Sequence, residues 1–457
     1  MHILILGGIS RSLINFRGPL IRAMLAAGHK VTACAGTPVP EAEQTLAEWG
    51  VQFIPVPLAR AGMNPLGDIQ TFRALRRIMR QERPDAVLAY TIKPVIWGGL
   101  AAHSAGIHNL HSLITGLGYA FIGGTSAKQR LASWLAKRLY KASLKHSRKV
   151  FFQNPDDAHE FIQRKLVAPH QTVVVSGSGI DLAHFGDAKR ETRNAKPTAD
   201  DQQPTSPPLP TANCQLPPHT HPHTHTPTHS TSFLLVARLL RDKGICEYAE
   251  AAAIIKRDHP TAEFHLVGDY DPNPSGLKPA DVDAWVNAGT ILYHGPQPDV
   301  RPFLQACSVY VLPSYREGTP RTVLEAMATG RPIITTDAPG CRETIRFQTT
   351  DPGVQTADYR LQTADQASLL TSPRRSTAWS PSPVTSHPPQ PRTKNLRIGE
   401  NGILIPPRDP EALAKAMRFF IDHPDQIASM GRASRQYTEE RYDVHKVNAV
   451  MLREMGL

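Results

Sequence analysis

The chain contains no run of about eighteen apolar residues, the length a helix needs to cross a bilayer, so no transmembrane segment is expected. Cysteine is sparse. Cys34, Cys214, Cys246, Cys307 and Cys341 are scattered, with neither the paired spacing of a zinc site nor the density of a disulfide scaffold. A reducing cytosol is the expected setting. No short internal repeat marks a solenoid. The opening Met1-His2-Ile3-Leu4-Ile5-Leu6-Gly7-Gly8 lacks the basic lead-in and the long apolar core of a signal peptide and reads as a buried strand. Acidic residues are in deficit, 40 against 51 Lys and Arg for a net charge of +11, which suits a polyanionic partner such as nucleotide phosphates, nucleic acid or an anionic bilayer.

What is present is a soluble globular composition in 457 residues, a length that fits two domains, with 41 prolines that helices and strands alone cannot absorb. Up to about residue 183, short apolar runs alternate with helical patterns. Strands are expected at 2–6, 30–35, 51–56, 85–90, 109–114, 150–153 and 172–175, each nearly continuous in apolar residues, as in a parallel sheet covered on both faces. Helical stretches between them imply crossover connections. The pattern stops at 186–231, a Pro/His/Thr-rich stretch that cannot build a core. It resumes from Ser232 with strands expected at 232–238, 263–267, 290–293, 308–312 and 332–336. After a second irregular insert at 348–397 comes one more strand, Gly402 to Pro406. The division is therefore 1–185, a linker 186–231, 232–442, and a last helix 443–457. Two doubly wound halves place a crevice between the carboxyl ends of their sheets, where such folds bind ligands.

The segment Glu317-Gly318-Thr319-Pro320-Arg321-Thr322-Val323-Leu324-Glu325 follows a strand and opens a helix near Pro320. Glu317 and Glu325 can both face the crevice, with Gly318 letting a ligand approach the backbone. Carboxylates accept hydrogen bonds from sugar and ribose hydroxyls, and a helix start favours phosphate. With its flanks Ser314-Tyr315-Arg316 and Thr329-Gly330-Arg331-Pro332, this segment resembles the E-x7-E motif of the family 4 retaining glycosyltransferases. Val236-Ala237-Arg238-Leu239-Leu240-Arg241-Asp242-Lys243-Gly244 resembles the same family's element that grips a donor diphosphate.

That resemblance implies the GT-B fold: α/β, two Rossmann-like doubly wound parallel-sheet domains facing across a cleft, the first for the acceptor and the second for the nucleotide, with the last helix crossing back. It implies Arg238 and Lys243 on the diphosphate, Glu317 on the sugar and Glu325 on the ribose. Gly318, Thr319 and Arg321 lie close to the donor, and Gly7 and Gly8 allow its approach from the N-domain. The donor that the resemblance implies is a UDP-hexose or UDP-N-acetylhexosamine.

Arg11-Ser12-Leu13-Ile14-Asn15-Phe16-Arg17, Tyr90-Thr91-Ile92-Lys93-Pro94 and Thr115-Gly116-Leu117-Gly118-Tyr119 resemble a narrower branch that builds bacterial surface polysaccharides. Its acceptors are sugars on polyprenyl diphosphate. A nucleotide-sugar epimerase of similar architecture is the alternative. Where many family members carry a histidine at the end of the fifth strand, this chain has Thr115-Gly116, and His108 and His111 are expected in surface or core roles. Asp269-Tyr270-Asp271 reads as a loop and not a metal motif, and no metal or other cofactor is expected, nor a nucleic-acid partner. Histidines 219–229 are read as linker. From Ala127 to Lys149 stand eight Lys or Arg and no acid. Leu131, Leu135 and Leu139 beside Trp134 form one stripe, and Arg130, Lys137, Lys141 and Lys145 another, the pattern of a basic amphipathic helix on an anionic membrane surface. The expected location is cytoplasmic, peripheral on the inner face of the cell membrane.

Overall fold

A computed structural model describes residues 1–58, 64–117, 127–186, 230–273, 275–348 and 395–457. All but the ends of the 186–231 linker and of the 348–397 insert lie outside the described residues, as do Gly118-Tyr119, Cys214 and histidines 219–229.

Seven strands form the N-terminal sheet: β1 (His2–Ile9), β2 (Lys30–Gly36), β3 (Gln52–Pro55), β4 (Ala86–Tyr90), β5 (Leu110–Ile114), β6 (Lys149–Phe152) and β7 (Thr172–Val174). Their order is β3-β2-β1-β4-β5-β6-β7, with every pairing parallel. In β1, Leu4 and Leu6 pack with Val87 and Phe152 on one face, while Ile3 and Ile5 pack with Leu20 and Ile21 on the other. All four are fully buried, which is why the run reads as unbroken in the sequence.

The second sheet contains β8 (Ser232–Val236), β9 (Glu263–Val267), β10 (Leu292–Tyr293), β11 (Val309–Leu312), β12 (Ile333–Thr336), β13 (Arg397–Ile398) and β14 (Gly402–Ile405). Its order is β10-β9-β8-β11-β12-β14-β13. Only β13 is antiparallel there, pairing Arg397 with Leu404. The sequence reading ends the insert at Arg397; the structure gives that residue to the edge strand, whose two residues carry no apolar run to announce it.

Each sheet reverses its strand order once, between β1 and β4 and between β8 and β11. Those switch points open toward each other, the GT-B arrangement. The two halves are joined twice. Besides the linker, the chain returns at Tyr442–Val444, where Ile180 N donates to Tyr442 O (2.8 Å) and Val444 N to Ile180 O (3.1 Å). Gly179, at φ +70°, makes this crossing possible, since a Cβ there would stand 2.5 Å from Val444 Cα. The helix Val444–Met455 then buries Met451 and Met455 in the same cluster as Ile3 and Leu20, and Glu454 pairs with Lys149 at 3.1 Å. The return of the last helix to the N-domain is thus observed.

Charge crosses the seam as well. Arg316 Nη2 lies 2.5 Å from Asp157 and 2.9 Å from Glu160, and Arg342 bonds Asp156 and Asp337. Beside them Glu343 is differently placed: its Oε2 is buried with no hydrogen-bond partner, while its backbone oxygen accepts from the hydroxyls of Tyr437 and Tyr442. Burial, reinforced by the nearby Asp156, pushes its carboxyl up to about 7. A carboxyl raised in the folded state destabilises the fold when ionised, and the penalty fades as pH falls from about 7 toward the unfolded value. Glu343→Gln should therefore be more stable than the parent at pH 8, by about 1 to 3 kcal/mol, and the advantage should vanish near pH 4.5. Chemical denaturation at both pH values measures it; a pH-independent difference would show an unshifted carboxyl.

Candidate functional site

After β8 the chain runs through Ala237 to a short turn at Arg241–Lys243 and Gly244, at φ +73°. A Cβ on Gly244 would stand 2.1 Å from the Pro313 carbonyl, so this loop is pressed onto the end of β11 in a way only glycine allows. Lys243 is thereby brought to Glu317, with Nζ 2.6 Å from Oε1 and both side chains largely shielded from solvent. Burial alone would lower the Lys243 pKa, but the Glu317 carboxylate outweighs it and the net shift is upward. The pair sits at the switch point between β8 and β11.

Glu325 is the fifth residue of the helix Arg321–Ala328, which opens directly after Pro320. It is 8% exposed and accepts from Arg321 Nε at 2.9 Å. Burial raises its pKa and Arg321 opposes the shift. Arg238, with a side chain 53% exposed, bonds Asp271 at 2.6 Å. Asp271 Oδ1 also accepts from Asn273 N at 3.0 Å, so Asp269-Tyr270-Asp271 is a loop closed on itself.

The N-domain supplies the other wall. Asn154 caps its own helix, Pro155–Gln163, by accepting from Asp157 N (2.8 Å), and its Nδ2 donates to Gly318 O (2.8 Å) and Glu317 O (3.2 Å). Thr319 Oγ1 donates to Gln153 O at 2.8 Å. Arg321 bonds the Asn15 carbonyl and lies over the Phe16 ring. Sequence reasoning missed Gln153, Asn154 and Arg316. Asn154-Pro155-Asp156-Asp157 is legible as a helix start, but nothing local says that its cap also reaches a loop more than 160 residues away.

The glycines of the site make close approaches. At Gly318, expected to admit a ligand, a Cβ would lie 2.4 Å from Thr115 O and 2.5 Å from Gln153 Oε1 of the N-domain. Gly7 and Gly8 are expected to end the first strand, yet β1 continues to Ile9. The space at Gly7 is filled by the Tyr90 hydroxyl, 2.3 Å from where a Cβ would stand, and Thr91 Oγ1 is 3.3 Å from that of Gly8. Thr115-Gly116 leads off β5 and packs on Gly318. His111 is buried, with its ring nitrogen bonded to Asn109 and its pKa lowered by burial to about 4, a core residue as expected; His108 is exposed.

The basic segment is the helix Ala127–Leu144. Leu131 and Trp134 are 62% and 54% exposed, Leu135 is exposed beside them, and Arg138 lies over the Trp134 ring. Arg130, Lys141 and Lys145 face solvent, whereas Lys137 is half-buried, its pKa lowered by burial and then by Arg164. Among the described residues no helix is long and apolar enough to cross a membrane.

Known proteins divide in the same way. A glycosyl transferase 4-like domain profile matches residues 16–177, and a glycosyl transferases group 1 profile matches residues 230–371. The N,N'-diacetylbacillosaminyl-diphospho-undecaprenol alpha-1,3-N-acetylgalactosaminyltransferase of Campylobacter jejuni is 30% identical over 345 residues, covering 76% of this chain and 83% of that protein. The UDP-Gal:alpha-D-GlcNAc-diphosphoundecaprenol alpha-1,3-galactosyltransferase of Escherichia coli is 25% identical over 297 residues, 62% of this chain and 66% of its own. Among solved structures, HepE of Anabaena in complex with UDP superposes with a TM-score of 0.62 at 15% identity over the full length of both chains. A glycosyltransferase from Rickettsia africae gives 0.64 at 13%, covering 99% and 97%. At these identities the superpositions speak to fold alone.

The contact of Gly318 with Thr115 makes a direct test of the seam. Gly318→Ala must push the domains apart, because a backbone carbonyl cannot yield as a side chain can, at a cost of about 1 to 3 kcal/mol of overpacking. Small-angle scattering should report a larger radius of gyration, while each domain keeps its own core. An unchanged scattering profile would show that the approach is not tight.

Proposed function

The chain belongs to the group 1 glycosyl transferases, with a glycosyl transferase 4-like N-terminal domain, and on that premise we propose that it is a retaining hexosyl- or N-acetylhexosaminyltransferase using a UDP-sugar donor. The observation that carries this reading is the buried Lys243–Glu317 pair at the β8/β11 switch point, with Glu325 one turn into the helix that follows. Such a site presents a cation, a hydroxyl acceptor and a second hydroxyl acceptor in sequence along the crevice. Lys243, joined by Arg238, takes the diphosphate; Glu317 takes the sugar hydroxyls; Glu325 takes the ribose. Binding then exchanges the Glu317 partner of Lys243 for a phosphate oxygen, so the lysine is never left uncompensated. Gly318, Thr319 and Arg321 hold the loop between the two carboxylates.

In the reaction the bond from the anomeric carbon to the diphosphate breaks, an acceptor hydroxyl bonds to that carbon from the same face, and its proton passes to the departing phosphate oxygen. Lys243 and Arg238 counter the charge that grows there. No metal or other cofactor enters this reading, and family membership favours transfer over the epimerase alternative.

The acceptor we propose is a glycan on polyprenyl diphosphate in surface-polysaccharide synthesis, in line with the printed activities of the two enzymes from Campylobacter jejuni and Escherichia coli. The protein would meet it on the inner face of the cell membrane. Support comes from the Ala127–Leu144 helix, where exposed Leu131, Trp134 and Leu135 stand beside Arg130, Arg138 and Lys141, with Lys145 directly after its end.

Lys243→Ala should lower kcat about a hundredfold at saturating donor, as for loss of one preorganised charge partner. Glu325→Gln should chiefly raise the donor KM, by roughly 1 to 3 kcal/mol, because ribose hydroxyls do not change during bond breaking. Rates with a panel of radiolabelled nucleotide sugars and membrane-extracted acceptors check both, and a parental kcat for Lys243→Ala would remove that loop from the leaving group. For the helix, changing Arg130, Lys141 and Lys145 to Glu should abolish sedimentation with phosphatidylglycerol vesicles at unchanged melting temperature. Equal vesicle binding by variant and parent would refute the membrane contact.

A further inference from the structure

Arg17 has no part in the chemistry assigned so far, and its surroundings are unusual for an arginine. It is 2% exposed. Nη2 donates to Ser178 Oγ at 3.0 Å, the guanidinium lies 5.2 Å from the centre of the Tyr90 ring, and the buried Nε has no hydrogen-bond partner. The ionisable groups acting on it are a phenol, Tyr90, and a second guanidinium, Arg321. Among the described residues no carboxylate pairs with it. Arg321 spends its own charge on Glu325 and the Asn15 carbonyl. Burial, despite a contrary effect from Tyr90, lowers the Arg17 pKa to about 10, so it remains charged at neutral pH.

The position matters as much as the charge. Tyr90 ends β4, its hydroxyl fills the space at Gly7 of β1 and bonds Ser12 Oγ at 2.7 Å, and β1/β4 is the switch point of the N-domain sheet. Arg17 itself is the N-cap of the helix Gly18–Ala26, which has no acid in its first turn and no side-chain cap, leaving its positive end uncompensated. Thr319, whose methyl group lies 3.0 Å from a Cβ built on Gly177, closes the same corner from the C-domain. A buried cation with an unused donor is costly unless an anion completes it, and a guanidinium offers the planar donor fork that fits phosphate.

We infer that Arg17 is a phosphate-binding residue of the N-domain, completed by a phosphoryl group of a ligand entering the cleft at the β1/β4 switch point. This deepens the proposed function and rests on it for the ligands at hand: the diphosphate of a lipid-linked acceptor and the diphosphate of the nucleotide both supply the chemistry. Arg17 belongs to the N-domain, whereas Lys243 and Arg238 belong to the C-domain, which places the acceptor's diphosphate first.

Binding alone tests this without knowledge of the transferred sugar. Farnesyl diphosphate and UDP are titrated calorimetrically into the full chain, into Arg17→Gln and into Arg17→Lys, which keeps the charge without the fork. The expected result is that Arg17→Gln weakens farnesyl diphosphate at least tenfold and leaves UDP within twofold, with Arg17→Lys between. Loss of UDP affinity instead supports the phosphate role and assigns it to the donor. Unchanged affinities for both, or a parent that binds UDP but not farnesyl diphosphate while the variants keep UDP, overturn the inference and leave Arg17 a packing residue. If Arg17→Gln does not fold, Arg17→Lys carries the same comparison. UDP binding by the parent tests the donor site by itself, so failure of the proposed function is seen separately.

Discussion

Asn154 bonds with both halves of the molecule at once, and the arrangement of the cleft follows from that. One end of its amide terminates its own helix; the other holds two successive carbonyls, Glu317 and Gly318, of the opposite domain. The position of Glu317 is therefore set from two sides, by Lys243 within its own domain and by the neighbouring domain through its backbone. The charged side chains of the site come from the C-domain, but the N-domain helps to hold the backbone that carries Glu317. A site that positions a ligand needs placement to a fraction of an ångström, and at Glu317 that placement is shared across the domain contact.

The seam is polar where it could have been apolar. Asp156, Asp157 and Glu160 at the start of one helix face Arg316 and Arg342 across it. Desolvating such groups offsets much of their attraction; burial pushes Asp157 up to about 6 even beside Arg316. The result is specific in geometry and modest in net strength. Glu343 adds to the same region a buried carboxyl oxygen without a hydrogen-bond partner, whose ionised form burial disfavours.

The doubly wound halves were legible because buried parallel strands such as Ile3-Leu4-Ile5-Leu6 need apolar residues at every position, a pattern that survives without tertiary information. Glu317 and Glu325 could be read together because a loop and a helix start hold them close in sequence, whereas Lys243, in a separate strand-loop-helix segment, is brought to Glu317 only by the fold. Across the seam the reading fails for a physical reason. The space that Gly318 and Gly7 leave open is filled by Thr115 and Tyr90, groups distant in sequence, so a glycine announces a close approach without naming what approaches. Edge strand β13 escaped because two residues carry no period. Lys137, grouped by helical spacing with three exposed cations, turns out half-buried, since spacing alone does not say where the neighbouring helices lie.

The return of the last helix has a consequence for how the protein is made. Met451 and Met455 lie in one cluster with Ile3, Ile5 and Leu20, so β1 is covered by a helix that is synthesised after both sheets. Domains ordinarily fold in order of synthesis. Here the N-terminal domain keeps an open apolar flank while the second domain is being made, and that flank is covered only once the helix Val444–Met455 has followed it.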